Sequence, residues 1–242
     1  MRKSIVAANW KMNGDAALVE AFANSGLKPN DKVQVIFGLP AIFLREASKA
    51  GITDLSAEDV SAHDKGAYTG ETSASMLKEA GVKYCIIGHS ERRTYHGEDE
   101  KILADKWLQL KSQGIIPIYC IGETEAEYDA GSTQAAIERQ LFPMLDKALI
   151  DADTVIAYEP VWAIGTGKAA TPEYAQNVHS AIRKILKEKA PVFADKVRIL
   201  YGGSVKPENA GELIAKEDID GFLVGGASLK VESFSQIVGA IS

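Results

Sequence analysis

Eight short apolar runs limit what this chain can fold into: residues 5–8, 33–37, 55–57, 84–87, 116–121, 155–158, 197–200 and 222–224. Most lack the alternation of a strand with one wet face, so they read as strands buried on both faces, the pattern of a parallel sheet covered by helices. Amphipathic stretches fill the gaps, and residues 100–113, 133–149, 172–189 and 234–241 carry apolar side chains at helical spacing. Thr171-Pro172-Glu173 sets an N-cap before a first-turn proline, and Pro207-Glu208-Asn209 opens another helix after Ser204-Val205-Lys206. The shortest run, around Leu55, has the least certain bounds. No Pro/Ser-rich linker, like-charge block or low-complexity tract breaks the alternation, so residues 1–242 are expected to form a single domain. Eight βα units predict a closed (β/α)8 barrel, with a doubly wound open sheet as the alternative.

The strand ends favour the barrel. The runs stop at Asn9, Gly88-His89, Gly122-Glu123, Glu159-Pro160, Gly202-Gly203 and Gly225-Gly226, residues that carry chemistry or bend the backbone. Gathered at the carboxyl ends of several parallel strands, they would line one barrel mouth.

Bulk composition excludes several partners. With 46% hydrophobic and 25% charged residues, the chain has material for one large core and is not disordered. Its 33 acids against 27 bases give a net charge of −6, which argues against broad attraction to nucleic acid or to anionic membrane. An anionic substrate would need a local positive site. Cys85 and Cys120 sit inside apolar runs with no metal-ligand spacing, which suits two buried thiols in a reducing compartment. The first apolar segment is too short for a signal-peptide core or a membrane span, so a cytoplasmic location is expected.

Four segments carry a resemblance: Asn9-Trp10-Lys11-Met12-Asn13, Gly88-His89-Ser90-Glu91-Arg92-Arg93, Tyr158-Glu159-Pro160-Val161-Trp162-Ala163-Ile164-Gly165-Thr166-Gly167 and Tyr201-Gly202-Gly203-Ser204-Val205. In this order, and ending with Gly221-Phe222-Leu223-Val224-Gly225-Gly226-Ala227-Ser228-Leu229, the chain resembles the triosephosphate isomerases from Ala8 almost to its C-terminus. The resemblance implies a TIM barrel that interconverts dihydroxyacetone phosphate and D-glyceraldehyde 3-phosphate through an enediol(ate) intermediate.

Each site residue has a plainer reading beside the functional one. An isolated glutamate such as Glu159 is usually a surface carboxylate or a helix cap; at a strand end sheltered by Val161, Trp162 and Ile164, desolvation is expected to raise its basicity. The resemblance makes it the general base. A lone histidine is more often structural, but His89 precedes a helical turn whose positive end disfavours a protonated ring. By resemblance it is the electrophile and proton relay; triosephosphate isomerases are themselves the standard example of this tuning, so the role is taken from the family. Lys11 would otherwise be a solvated lysine; the family places it beside the developing oxyanion, with Asn9 adjacent and Glu91 supporting.

Phosphate would be held by backbone amides in the loops after the seventh and eighth strands, where tight turns alone would also explain the glycines. Gly165, Ser204, Gly225 and Gly226 carry over from the family as substrate-binding residues. Residues 160–170 read as a lid that keeps water from the intermediate. The family suggests that Tyr201 and Ser204 hold it closed and that Glu123 anchors it through Trp162. Gly165-Thr166-Gly167-Lys168-Ala169-Ala170 fits a dinucleotide fingerprint, but it lies six residues beyond Glu159 rather than directly after the strand, so no nicotinamide or flavin cofactor is expected. The acids Glu123, Glu125, Glu127 and Asp129 read as a solvated helix start rather than a metal site, and no metal is expected.

His63-Asp64-Lys65-Gly66-Ala67-Tyr68-Thr69-Gly70-Glu71-Thr72-Ser73 resembles the loop each subunit inserts into its neighbour, which implies a homodimer. Three segments depart from the family: residues 14–32 look short, Phe37-Gly38-Leu39-Pro40 is unusual, and Ala57-Glu58-Asp59 has acids where amides are usual. Two other functions stay open, another phosphate-binding barrel enzyme and a non-catalytic phosphate-binding barrel. The first would want a Schiff-base lysine or a metal site at a strand end, neither of which is evident; retention of Glu159, His89 and Lys11 together argues against the second.

Overall fold

In the computed structural model, which describes residues 2–164 and 170–241, eight parallel strands close on themselves in sequence order. They are β1 (Ser4–Asn9), β2 (Val33–Leu39), β3 (Leu55–Ala57), β4 (Tyr84–Ile87), β5 (Ile116–Ile121), β6 (Val155–Tyr158), β7 (Arg198–Tyr201) and β8 (Gly221–Val224). Each pairs with its neighbour, and β1 also pairs with β8 in the register Ile5 to Gly221 through Ala8 to Val224. That closing pair excludes the open-sheet alternative. All eight apolar runs are strands, and the short third run keeps its bounds.

Alternation within the strands decides which side chains fill the cylinder. Ile5, Ala7, Ile36, Ile86, Ile118, Cys120, Val155, Ala157, Leu200 and Leu223 form the inner cluster, so Cys120 points into the barrel. Their in-between neighbours, such as Val6, Ala8, Val35, Cys85, Ile87 and Ile156, pack outward against the helices. Burial on both faces is why these runs carry no polar alternation. Each large aliphatic or aromatic side chain sealed this way contributes about 1.5–3 kcal/mol.

The helices start and stop where local chemistry allows. Thr171 caps Pro172–Lys189 through its side chain, which accepts from the Tyr174 N–H, and that helix has the bounds read from the sequence. Pro207–Ile214 begins at its proline. Thr133–Asp146 ends three residues before the apolar pattern does and carries Pro143 within it. The final helix, Val231–Gly239, starts three residues earlier than predicted. The short 14–32 region forms the helix Ala16–Asn24, capped by Asp15, with Phe22 against Trp10, Phe37 and Phe234. None of the described helices is long and apolar enough to cross a membrane.

Candidate active site

The carboxyl ends of β1, β4, β6, β7 and β8 open into a cavity of about 590 Å³ lined by Asn9, Lys11, His89, Glu91, Glu159, Ser204, Gly225 and Gly226. Residues up to 217 positions apart in the chain meet there because every strand of a closed parallel barrel ends on the same side.

Glu159 follows β6 directly. Its N–H donates to the Ile121 carbonyl at 2.7 Å, and the Gly202 N–H donates to the Tyr158 carbonyl at 2.7 Å, so the strand ladder clamps the backbone on both sides. The approach at Gly122 is so close that a Cβ there would lie 1.8 Å from the Glu159 carbonyl oxygen. Side-chain placement is equally fixed. Glu159 Oε2 accepts from the Ser90 N–H at 2.9 Å, and Oε1 lies 2.9 Å from His89 Nε2. Ser90 is the first residue of the helix Ser90–His96, so its N–H is one that no helical carbonyl can satisfy.

His89 is the N-cap of that helix, and its Nδ1 accepts from the Glu91 N–H at 3.2 Å. A ring whose Nδ1 accepts carries its hydrogen on Nε2, the atom facing Glu159 and the cavity. Arg93 pins the preceding turn, donating to the carbonyls of Gly88 at 2.7 Å and Cys120 at 3.1 Å and pairing with Glu100 at 2.6 Å.

Lys11 takes a positive φ of 55°, a backbone state that costs a non-glycine residue roughly 1–3 kcal/mol and tends to occur where function holds it. Its Nζ donates to Glu91 Oε1 at 2.6 Å, and its N–H to Asn9 Oδ1 at 3.3 Å. Glu91 therefore joins two of the predicted groups, approaching His89 with one oxygen and Lys11 with the other.

The acid–base balance differs from the sequence expectation. Burial does push the Glu159 carboxyl upward, but His89, the Ser90 N–H and Lys11 outweigh it and hold the group below the usual glutamate value. Burial likewise pushes the His89 ring downward, and the Glu159 carboxylate overrides it, so His89 lies above the ordinary histidine value. The contact between the two side chains, which no spacing in the sequence reveals, reverses both expected directions.

The contacts of Glu123 are more extensive than the single one to Trp162 that the sequence suggested. Glu123 is fully buried, and its Oε1 accepts from Trp162 Nε1 at 2.8 Å and from the hydroxyls of Tyr158 and Tyr174, each at 2.9 Å. Trp162 also stacks on Tyr128, with ring centroids 4.2 Å apart. The acidic cluster thus divides: Glu123 belongs to the interior, whereas Glu127 closes a capping box with Thr124 at the start of Glu125–Asp129. Tyr201 is buried, its hydroxyl lies against the Ala170 backbone, and desolvation pushes its pKa up to about 12. Gly165 and most of the dinucleotide-like segment, residues 165–169, lie outside the described residues.

Sequence reasoning gave no role to Ser90 or Gln140, and read Gly202 only as a strand-end glycine of the phosphate-binding loop. Gly202 stands where a Cβ would come within 3.1 Å of Glu159 Cγ. Buried Gln140 bonds both the N–H and the carbonyl of Gly122, at 2.8 and 2.9 Å. The unpaired first-turn N–H of Ser90 was inferable from the helix start; the other two contacts join distant elements and leave no local mark.

Comparison with known proteins decides between the readings this cavity allows. A family model described as triosephosphate isomerase matches residues 4–241. The chain belongs to the triosephosphate isomerase family. It is 60% identical over 238 residues to the triosephosphate isomerase of Dichelobacter nodosus, covering 98% of each chain. It is 48% identical to that of Paracidovorax citrulli, over 99% of this chain and 98% of the relative, and 46% identical to that of a Vibrio species over the full length of both. Membership in the triosephosphate isomerase family disfavours both open alternatives, a different phosphate-binding barrel enzyme and a non-catalytic barrel.

Proposed function

We propose that this chain interconverts dihydroxyacetone phosphate and D-glyceraldehyde 3-phosphate through an enediol(ate), with Glu159 as the general base and His89 as the electrophile. One observation carries the reading: Glu159, His89 and Lys11, supplied by three different strands, border one cavity whose wall also includes Ser204, Gly225 and Gly226. A phosphate held on the backbone amides of those last residues leaves the three-carbon portion facing the three side chains. Gly165 belongs to the same proposal as a further phosphate contact.

In the proposed reaction, Glu159 takes a proton from the carbon beside the carbonyl, and the electron pair moves onto the carbonyl oxygen. Charge developing there meets the His89 Nε2–H and the Lys11 ammonium, with Asn9 adjacent. The imidazole gives its proton to that oxygen and receives one from the neighbouring hydroxyl; Glu159 returns its own proton to the other carbon. No atom or electron is gained, so the balance requires neither metal nor cofactor.

With Oε1 2.9 Å from His89 Nε2, no carbon fits between base and electrophile. A substrate oxygen that takes the His89 hydrogen bond displaces the carboxylate, and Glu159 turns to face the substrate. Release from His89 and exclusion of water under the lid both make it a stronger base, so the tuning expected from the sequence belongs to the loaded, closed state. Glu123 holding Trp162, Tyr201 against the Ala170 backbone, and Ser204 lining one cavity with Ile164 support this gating.

The closed strand order supports residues 1–242 acting as one domain. Exposed Met12 and Tyr95, which border one cavity, and exposed Tyr68 within the 63–73 loop support a homodimer. Two buried free thiols suit a cytoplasmic location. A coupled isomerisation assay tests the central reading: Glu159→Ala should lower kcat by roughly two to four orders of magnitude with a much smaller change in KM. Turnover that survives the substitution would refute it.

A further inference from the structure

Ala57 ends β3, and the next two residues are acids with opposite fortunes. Asp59 is matched: Lys106 Nζ lies 2.5 Å from Oδ1 and Arg92 lies 2.9 Å from Oδ2, while Glu98 completes the cluster from the far side. Glu58 is not matched. Its Oε1 is buried with no hydrogen-bond partner, and no cation bonds its carboxyl, among the described residues. The carboxyl lies against the backbone N–H groups of Trp10 and Lys11, the latter the residue with positive φ.

Glu58 also borders a second cavity, of about 380 Å³, that shares Asn9, Lys11, His89 and Glu91 with the active-site cavity. The titratable and charged groups around it are Lys11 from the β1 side, and His89, Glu91, Arg92, Tyr95 and His96 from the helix Ser90–His96 and its cap. Arg92 is drawn toward Asp59 and Glu98, and the Lys11 ammonium toward Glu91. The nearest cations are therefore already committed to other acids.

We propose that Glu58 is a positioning residue for Lys11 that works as the neutral acid, supporting the Lys11 backbone while leaving the ammonium's charge to Glu91 and the substrate. If it ionised, a second carboxylate would compete for that ammonium, and less positive charge would remain for the developing oxyanion. The environment enforces neutrality: burial outweighs the two backbone N–H groups and Lys11, Glu91 adds like charge, and the pKa rises to about 8. Activity should therefore fall as pH climbs through that value, because the ionised form is the ineffective one. This inference rests on the proposed role of Lys11 at the oxyanion.

The test uses the full-length protein with and without Glu58→Gln, whose amide cannot ionise. Over pH 6–10, wild-type kcat/KM should show an alkaline step near pH 8 of roughly three- to tenfold, the effect of one added charge several ångströms away at intermediate dielectric. In Glu58→Gln that step should be missing. A wild-type profile without the step, or a variant that keeps it, overturns the proposal. Carboxyl ¹³C shifts of the wild-type protein report the same ionisation independently of turnover and of the variant's folding. A Glu58 signal that titrates near the ordinary glutamate value also overturns the proposal, whereas one that titrates near pH 8 supports it. Absence of any isomerase turnover would instead defeat the functional reading, which the carboxyl titration does not depend on.

Discussion

His179 shows how one buried side chain ties stability to pH. It is fully buried on the helix Pro172–Lys189, its Nδ1 lies 3.1 Å from the Asp218 carbonyl, and its Nε2 has no partner among the described residues. Tyr158 meets it edge-on, and Arg183 adds a like charge. Burial in these surroundings lowers its pKa to about 4. The unfolded chain takes up a proton near pH 6.5 while the folded one refuses it until about pH 4, so stability falls as pH drops through that window. The loss should reach about 3 kcal/mol. Glu159, held low, contributes stability that is present above the ordinary glutamate value and lost only at still lower pH, as the folded form is protonated. Urea unfolding between pH 7 and 4.5 separates the two: His179→Gln should flatten most of the slope between pH 6.5 and 4.5, and an unchanged slope would show that His179 is not its source. Both effects depend on neighbours far away in sequence. His179 was unremarkable as a residue in an amphipathic helix, and Glu159 stood out as the proposed base but not as the partner of His89.

At the scale of elements, the site is held by strand ends pressed together more closely than side chains allow. Gly122 is the tightest of these joints, between β5 and β6. Gly122→Ala would drive a methyl group into the Glu159 carbonyl, a backbone atom that cannot turn aside. Stability should fall by roughly 3 kcal/mol or more. Since Glu159 N–H donates to Ile121 across the same joint, kcat should fall as well, by about tenfold or more for a displacement of about 1 Å. Calorimetry and steady-state kinetics on the one variant check both, and a normal kcat in a folded Gly122→Ala protein would mean that the joint does not position the base. The strands were legible because burial on both faces writes continuous apolar runs. Helix starts were legible where Thr171 and Pro207 carry their own capping chemistry. Helix ends were less so: the apolar pattern runs on past Asp146, because the residues that follow, Leu149 and Ile150, are buried as a loop rather than as another helical turn.

For the molecule as a whole, the proposed homodimer depends on the 63–73 loop. Its base is closed by the Ser61 N–H to Thr72 carbonyl bond at 2.8 Å, and within it the rings of His63 and Tyr68 stack 3.8 Å apart. Replacing residues 64–71 with a short glycine-containing turn should leave the barrel folded and convert a dimer to a monomer in light scattering. A variant that stays dimeric would place the interface elsewhere. The sequence by itself determined the succession of eight strands and placed Glu159, His89 and Lys11 at or just after strand ends, because burial and capping act through near neighbours; it favoured closure of the sheet, which the pairing of β1 with β8 decided. Only the tertiary structure decided that Glu159 rests on His89 and Ser90, that Asp59 is neutralised while Glu58 has no cation among the described residues, and that both acid–base shifts run opposite to expectation. These outcomes depend on distances of about 3 Å between residues as many as 70 positions apart, and no local pattern in a chain encodes such a distance.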